Sequence, residues 1–349
     1  MKTSKDQPRL FFRILGGLLA VCLLLAACGT GGHSGELYSV TYLTLFDTVT
    51  TITGCAESRE DFDAQAQAIY DELLDYHRLF DIYQSYNGLN NLKTINDQAG
   101  VSPVKVDSRI IRLLKDCRAY YDLTGGKVNV AMGSVLALWH QARSAGLDDP
   151  AHAALPDQAA LEAAARHISI DCMIINETES TVYLSDPDVR LDVGAVAKGW
   201  AAQRVAETAP EGLLLSVGGN VVATGPKDSS GTPWVVGIRN PDRDDYLHTL
   251  NLTDGAAVTS GDYQRCYTVD GKRYHHIIDP DTLFPAADWR SVTILCADSA
   301  LADVLSTALF LMPRAQGQTL LDACGAEAMW VDTAGTEYFS PGFEAFLRS

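Results

Sequence analysis

The sequence predicts an α+β fold in which mixed or antiparallel sheets pack against helices. Strand-like runs with alternating apolar residues occur in both halves of the chain, and helical patterns lie between them without the regular β-α-β repeat of a parallel sheet. The chain has 349 residues and 47% hydrophobic content, which is enough for one large domain with a substantial core. There is no internal repeat, low-complexity tract or interdomain linker after residue 36.

The N-terminus has the pattern of an export signal. Four basic residues precede an apolar run over 14–27 that is too short for a comfortable membrane span. The run ends in "LAAC", which resembles a bacterial lipobox, where cleavage before Cys28 leaves that cysteine to be lipidated. We therefore expect a lipoprotein signal peptide over 1–27, a flexible tether over 28–36, and one domain over 37–349 that is lipid-anchored to the cell membrane and faces outside the cytoplasm. An ordinary secretory signal with an incidental cysteine, or an uncleaved anchor, is the alternative interpretation.

The charge of the chain excludes some classes of partner. The formal net charge is −17, and removing residues 1–27 takes away four basic residues and one acid, which brings the charge to −20. Such a surface disfavours nucleic acid and anionic lipid headgroups, so an anionic substrate needs a local basic or metal-bearing pocket. The cysteines beyond Cys28 lie singly, without zinc-binding spacing. Export permits disulfides, but isolated positions within apolar stretches are typical of buried thiols.

The first half of the chain begins with a predicted hairpin. Alternation over 38–54 indicates two strands with a turn or bulge near Phe46 and Asp47. Residues 83–96 are rich in polar and turn-forming types, and we expect a loop there. We predict three helices in this half. The first spans 61–80, and the second begins at a cap formed by Asp107 or Ser108 and stops at "TGG". The third spans 156–167, with Pro156 in its first turn.

Strands dominate the second half of the chain. Two helices interrupt them, at about 196–208 and 298–312. Asp270-Gly271 is a strong signal for a two-residue hairpin turn. The predicted strands are 182–184, 189–193, 213–217, 234–239, 247–252, 265–269, 273–278 and 290–296.

A candidate metal site lies on the last of these helices. Asp303 and Thr307 are four residues apart, so their oxygens share one face of a helix that is otherwise nearly all apolar. An acid and a hydroxyl on a buried helix are unfavourable unless they are paired or bound to a cation, and an all-oxygen set suits Mg²⁺ better than zinc. The alternative is that Thr307 bonds back to the carbonyl of Asp303 while the carboxylate faces water.

Two further segments carry residues suited to chemistry. In "YHHIIDP" the adjacent histidines of a strand would point to opposite faces, so at most one of them faces a pocket; a half-exposed strand histidine is the alternative. In "RLDVGAVAKGW" we expect a strand to end at Asp192, small residues to turn the chain, and Lys198 to stand near a helix start, where free amides and an ammonium favour phosphate. A small-residue packing corner would give the same pattern. The glycine turns in "SVGGN" and "TSGDY" are weak signals of a close backbone approach.

The order of these segments resembles that of the ApbE family, the FAD:protein FMN transferases, over about residues 40–312. No single motif is decisive, but several in register are specific. The segments that carry the resemblance are "TLFDTVTTI", "IYQSYNGLNNLKTIN", "LTGGKVNVAMGSVLALW", "VRLDVGAVAKGWAAQRVAE", "LLLSVGGNVVATG", "WVVGIRNP", "AVTSGDYQR", "YHHIIDPDTLFP" and "ADVLSTAL".

The resemblance implies a T-fold-like architecture with the active site in a cleft, and an activity. That activity is Mg²⁺-dependent cleavage of FAD, with transfer of FMN to a threonine or serine hydroxyl of an acceptor flavoprotein that carries a flavinylation motif, and release of AMP. The metal would take the Asp303 carboxylate, the Thr307 hydroxyl and the Ala195 carbonyl, and His276 would be the base for the acceptor hydroxyl. The residues that would contact FAD, which is a substrate here, are Phe46, Tyr83, Lys127, Val128, Asn129, Asp192, Lys198 and Ile277.

The chain departs from the family pattern at two places. Asn129 stands where the family usually has aspartate, so a hydrogen bond to FAD can persist while the charge is lost. Leu283 replaces a glycine; if that position needs a positive φ, leucine is unfavourable there by about 1–2 kcal/mol and we expect a rebuilt loop. Two alternative functions share the same residues: an FAD-binding lipoprotein without chemistry, and an FAD pyrophosphatase that releases FMN and AMP.

Overall fold

An eight-stranded sheet organises the fold in the computed structural model, which describes residues 35–348. The strands are β1 (Glu36–Leu45), β2 (Thr48–Ala56), β3 (Val104–Lys105), β4 (Met173–Asn176), β5 (Thr181–Leu184), β6 (Leu213–Val217), β7 (Asn220–Ala223), β8 (Trp234–Arg239), β9 (Tyr246–Leu252), β10 (Gly255–Gly261), β11 (Tyr267–Val269), β12 (Lys272–Tyr274), β13 (Trp289–Cys296), β14 (Glu327–Asp332) and β15 (Glu337–Phe339). The helices are α1 (Arg59–Phe80), α2 (Leu92–Asp97), α3 (Ser108–Leu123), α4 (Gly133–Asp148), α5 (Gln158–Ala164), α6 (Ala197–Ala206), α7 (Ser299–Phe310) and α8 (Arg314–Cys324).

The main sheet has the order β1-β2-β6-β7-β10-β13-β14-β15, and every neighbouring pair is antiparallel. Alternate residues of its strands enter two different cores, because successive side chains of a strand point to opposite faces. On β10, Val258 joins the core beneath α1, α6 and α7, whereas Ala257 joins a second core beneath the β8–β9 hairpin. The sheet is therefore covered on both faces, and the predicted α+β class with antiparallel sheets is confirmed.

A smaller unit packs at the side of the main sheet and contributes one wall of the site. Helix α4 contacts the β11–β12 hairpin, and Trp139, Tyr267 and Leu283 share a third core there. The hairpin turns at Asp270 and Gly271, whose φ values of 50° and 78° match the predicted two-residue turn. A separate three-stranded sheet has the order β3-β5-β4.

Helices α6 and α7 approach each other unusually closely, and a glycine makes this possible. A Cβ atom at Gly199 would lie 2.4 Å from the Ser299 carbonyl oxygen and 2.5 Å from the Asp303 Cβ. No larger residue fits between the helices without separating them. The close packing places the first turn of α6 directly against Asp303, so the fold itself assembles this part of the site.

Several predicted elements are wrong in extent or in kind. Residues 189–193 form no strand, only an isolated parallel bridge between Arg190 and Met132. The Asn96 side chain pairs with the Leu191 backbone: its amide donates to the Leu191 carbonyl at 2.9 Å, and its oxygen accepts from the Leu191 amide at 2.7 Å. The predicted loop over 83–96 ends in helix α2, whose first turn has a capping box between Asn91 and Thr94. The Asp157 side chain caps α5, so Pro156 precedes that helix.

The predicted strand over 273–278 ends at Tyr274. The sequence patterns missed eight elements altogether, namely α4, α8, β3, β4, β7, β10, β14 and β15. None of the helices within residues 35–348 is long and apolar enough to cross a membrane. The expected signal peptide and Cys28 lie outside the described residues, as does most of the expected tether.

Candidate active site

One cleft of about 1350 Å³ collects every site residue that the sequence predicted within the described chain. Its walls come from the β1–β2 turn, the start of α6, one face of α7 and the segment after β12. The predicted residues that line it are Phe46, Tyr83, Lys127, Val128, Asn129, Asp192, Ala195, Lys198, His276, Ile277, Asp303 and Thr307. The structure brings these residues together, while the role of each stays a prediction.

Asp303 is the most buried acid of this cleft, with 3% of its surface exposed. Its carboxylate accepts a hydrogen bond of 2.8 Å from the Gly199 backbone amide, and the Lys198 ammonium lies 3.4 Å from it. Both donors belong to the first turn of α6. The carboxylate is thus held in place by one backbone amide and one cation, which leaves it lone pairs for a further ligand.

Thr307 lies one turn beyond Asp303 on α7 and is half-buried. It does not bond back to the Asp303 carbonyl; the Ser306 hydroxyl donates to that carbonyl at 2.9 Å instead. Within residues 35–348 the Thr307 hydroxyl has no hydrogen-bond partner, although it lines the cleft. Ala195, in the turn before α6, lines the same cleft. A carboxylate, a hydroxyl and a backbone carbonyl are oxygen donors of the type that Mg²⁺ prefers.

His276 is positioned as a neutral base. Its Nδ1 atom is buried and has no hydrogen-bond partner among the described residues. Burial holds the pKa of His276 well below its usual value, and the positive charges of Arg265 and Arg143 lower it further. The imidazole is therefore neutral near pH 7, and a lone pair is free to accept a proton.

The neighbouring His275 is a structural residue. Its Nε2 atom donates to the Ala286 carbonyl at 2.7 Å, and its Nδ1 atom accepts from the Ile277 amide at 3.2 Å. Of the two histidines only His276 lines the cleft, as expected, but neither lies on a strand. Strand β12 ends at Tyr274, so the two histidines differ in environment because of the irregular chain that follows it and not because they alternate along a strand.

The β1–β2 turn projects an aromatic ring into the site. Phe46 and Asp47 both have a φ of 51°, which is a strained region for residues other than glycine. The Phe46 amide donates to the Nδ1 atom of His77 at 3.2 Å, and the two rings pack edge to face. Across the cleft, Tyr83 is 54% exposed, and its hydroxyl lies 2.6 Å from Nδ1 of His140.

Lys127 and Asn129, which differ from the family pattern, both have partners within the protein. The Lys127 ammonium lies 2.8 Å from both Asp279 and Asp281, so its charge is already paired. The Asn129 oxygen accepts from the Ala131 amide at 2.9 Å, and its NH₂ group donates to the Ile168 carbonyl at 2.8 Å. An aspartate could make the first of these bonds but not the second.

The loop with Leu283 keeps a left-handed conformation, and the expected rebuilding is wrong in this respect. Leu283 has a φ of 63° and is only 9% exposed. Its carbonyl accepts from Nε1 of Trp139 at 2.9 Å, and its side chain packs in the same core. Burial of the leucine side chain offsets a conformational strain of about 1–2 kcal/mol.

Sequence patterns did not identify Arg143 and Arg265 as neighbours of His276. Arg265 ends the segment "AVTSGDYQR", to which no role beyond the resemblance and a glycine turn was assigned, and Arg143 lies on a helix that was not predicted. An unpaired charge has no signature in a single sequence, because pairing depends on residues far apart in the chain.

Comparisons with known proteins agree with this geometry. A family model described as the ApbE family matches residues 40–330. The chain is 31% identical over 332 residues to the FAD:protein FMN transferase of Treponema pallidum (strain Nichols), with 89% of each chain covered. It is 25% identical over 346 residues to the FAD:protein FMN transferase of Escherichia coli (strain K12), covering 95% of this chain and 97% of that one.

Solved structures show the same fold. The ApbE protein of Thermotoga maritima superposes with a TM-score of 0.80 at 29% identity, covering 90% of this chain and 100% of that chain. The flavin transferase ApbE of Vibrio cholerae superposes with a TM-score of 0.74 at 24% identity over 90% and 100% of the two chains, which supports the fold alone. With the family model spanning most of the chain, this protein belongs to the ApbE family.

Proposed function

We propose that this ApbE-family transferase moves FMN from FAD to a threonine or serine hydroxyl of an acceptor protein and releases AMP, in a reaction that needs Mg²⁺. The observation that carries the proposal is the neutral His276 with a free Nδ1 atom in the same cleft as Asp303 and Thr307. A binding protein for FAD has no need of a buried base without a partner. The names of its relatives support the transferase over the other two candidates.

The cation would be held by the Asp303 carboxylate, the Thr307 hydroxyl and the Ala195 carbonyl. Its chemistry is to neutralise charge on the pyrophosphate oxygens of FAD, which phosphoryl transfer requires. Lys198, 3.4 Å from Asp303 and lining the cleft, adds a second positive charge for the phosphates. Asp192 fits beside them because its carboxylate is occupied locally, accepting from the Gly194 amide at 2.8 Å.

His276 would take the proton of the acceptor hydroxyl. As the hydroxyl oxygen forms its bond to the FMN phosphorus, the bond from that phosphorus to the AMP oxygen breaks, and the proton moves to the imidazole. The depressed pKa of His276 keeps the imidazole neutral before the step. The cleft volume of about 1350 Å³ exceeds the roughly 300–1000 Å³ of ordinary ligand pockets, so it has room for FAD and part of an acceptor segment.

The lipid anchor at Cys28 is part of the proposal. It would hold the enzyme at the membrane, facing outside the cytoplasm, so that the acceptors would be flavoproteins on that side. Proteolysis and mass analysis of the N-terminal peptide from membranes test this directly: an N-terminal diacylated Cys28 supports the anchor, and an uncleaved residue 1 contradicts it.

The activity is tested by incubation with FAD, Mg²⁺ and a threonine-bearing flavinylation-motif peptide. Covalently labelled, fluorescent peptide with AMP release supports transfer. FMN and AMP without labelled peptide would instead indicate a pyrophosphatase, and intact bound FAD would indicate a binding protein. Chelation of Mg²⁺ should stop the labelling.

A further inference from the structure

Two arginines beside His276 lack acidic partners. The chain has a formal net charge of −17, so carboxylates outnumber cations. The other cations that line the cleft meet a carboxylate, and their pairs are Lys127 with Asp279 and Asp281, Lys198 with Asp303, Arg239 with Asp244, and Arg243 with Asp245. Across residues 35–348, no carboxylate lies within ion-pair distance of Arg143 or Arg265.

The two guanidinium groups belong to one local structure. Arg143, on α4, is half-buried and donates from Nη1 to the backbone carbonyl of Arg265 at 3.3 Å. It lines a small cavity together with His140 and His276. Arg265, between β10 and β11, is exposed and lines the main cleft. Arg265 therefore lines the main cleft with His276, whereas Arg143 lines only the small cavity on which His276 also borders.

This arrangement is unfavourable for the protein alone. Burial lowers the pKa of Arg143, and the like charge of Arg265 lowers it further. Arg265 also has a φ of 43°, a region that residues other than glycine rarely adopt. A half-buried Arg143 beside a like charge and a strained backbone at Arg265 point to a function that the rest of the fold supports. The planar guanidinium group of an arginine that lines a cleft fits the oxygens of carboxylates and phosphates.

We propose that Arg265, with Arg143 bound to its backbone carbonyl, forms an oxyanion subsite beside His276 that binds a charged oxygen group of one of the two substrates. The proposal rests on the proposed function, because it assigns the subsite to FAD or to the acceptor. Two sources share this chemistry: the pyrophosphate of FAD, and a side-chain carboxylate close to the acceptor hydroxyl. The subsite would orient that substrate against the imidazole.

The test uses the full chain with Arg143→Gln, Arg265→Gln and a matched control, Arg166→Gln. Arg166 is exposed, makes no ion pair among the described residues and lies outside the cleft. The first measurement is the Kd for FAD, from flavin fluorescence without Mg²⁺. The second is the KM of transfer for two threonine peptides, one with a neighbouring aspartate and one with asparagine in its place. Arg→Lys variants, which keep the charge, should restore part of any loss.

An FAD subsite predicts that the Kd for FAD rises about tenfold or more in both variants, with the KM for either peptide unchanged. An acceptor subsite predicts an unchanged Kd and a KM about tenfold higher for the aspartate peptide alone. The proposal is overturned if all constants stay within about twofold of the Arg166→Gln values while wild type labels peptide. If the wild-type protein labels no peptide but the variants bind FAD more weakly, the proposed transferase activity is contradicted and the oxyanion subsite is supported.

Discussion

Replacing His276 by alanine tests the assignment of the base. The imidazole lines the cleft, its Nδ1 atom has no partner among the described residues, and its pKa is depressed, so it is built to accept a proton rather than to hold the fold. Loss of a positioned general base lowers rates by about 10²- to 10⁴-fold, which corresponds to about 3–5 kcal/mol of barrier. We expect that loss in His276→Ala, with the Kd for FAD within about twofold of wild type.

The pH profile of the wild-type enzyme provides an independent check on the same residue. Because burial lowers the pKa of His276, the base is lost only as pH falls through that lowered pKa, and the acid limb of kcat/KM should lie below pH 6.5. Protonation of His276 also affects the stability of the fold, and this effect has the same direction with pH as the effect on activity. Between the lowered pKa and about 6.5 the unfolded chain binds more protons, so the free energy of unfolding rises with pH across that window and gains nothing from His276 above it.

The assay is single-turnover labelling of a threonine peptide, with FAD affinity and thermal unfolding measured on the same samples. His152→Ala is the matched control, since the side chain of His152 is 83% exposed. An unchanged transfer rate in His276→Ala would remove this residue as the base. An acid limb centred above pH 6.5 in wild type would refute the electrostatic reasoning even if the variant is slow.

Substitutions at three further positions test the architecture around the cleft. Asp303→Ala should abolish Mg²⁺-dependent turnover, and Asp303→Asn should do the same while keeping the acceptor for the Gly199 amide; full activity in either, measured against rising Mg²⁺, contradicts the metal site. Gly199→Ala should lower the free energy of unfolding by about 1–3 kcal/mol and reduce turnover, because its Cβ would meet α7; calorimetry and the labelling assay measure both effects. Leu283→Gly should be less stable than wild type but about 1 kcal/mol more stable than Leu283→Ala, since only glycine relieves the strain at φ 63°; equal denaturant midpoints for the two variants would argue against strain.

Much of the fold follows from local patterns in the sequence. Helix α3 begins after the predicted cap Asp107, and α7 lies within its predicted span, because caps and apolar periodicity are properties of adjacent residues. The errors occur where distant side chains replace local structure. Residues 189–193 have a strand-like pattern, yet the Asn96 side chain, from another part of the chain, takes both backbone hydrogen bonds of Leu191.

The members of the site were predictable, whereas their electrostatic states were not. The resemblance of the ordered motifs to the ApbE family assigned Asp303, Thr307 and His276 to one site, and all three line the cleft. The neutrality of His276 has a different origin: it depends on burial and on charges from α4, α6 and the β10–β11 connection. Those contributors are far apart in sequence, and one of them lies on a helix that no pattern indicated. The protonation state of this histidine is therefore decided by tertiary packing, and variants at Arg143, which lies on α4 outside the quoted motifs, should alter it.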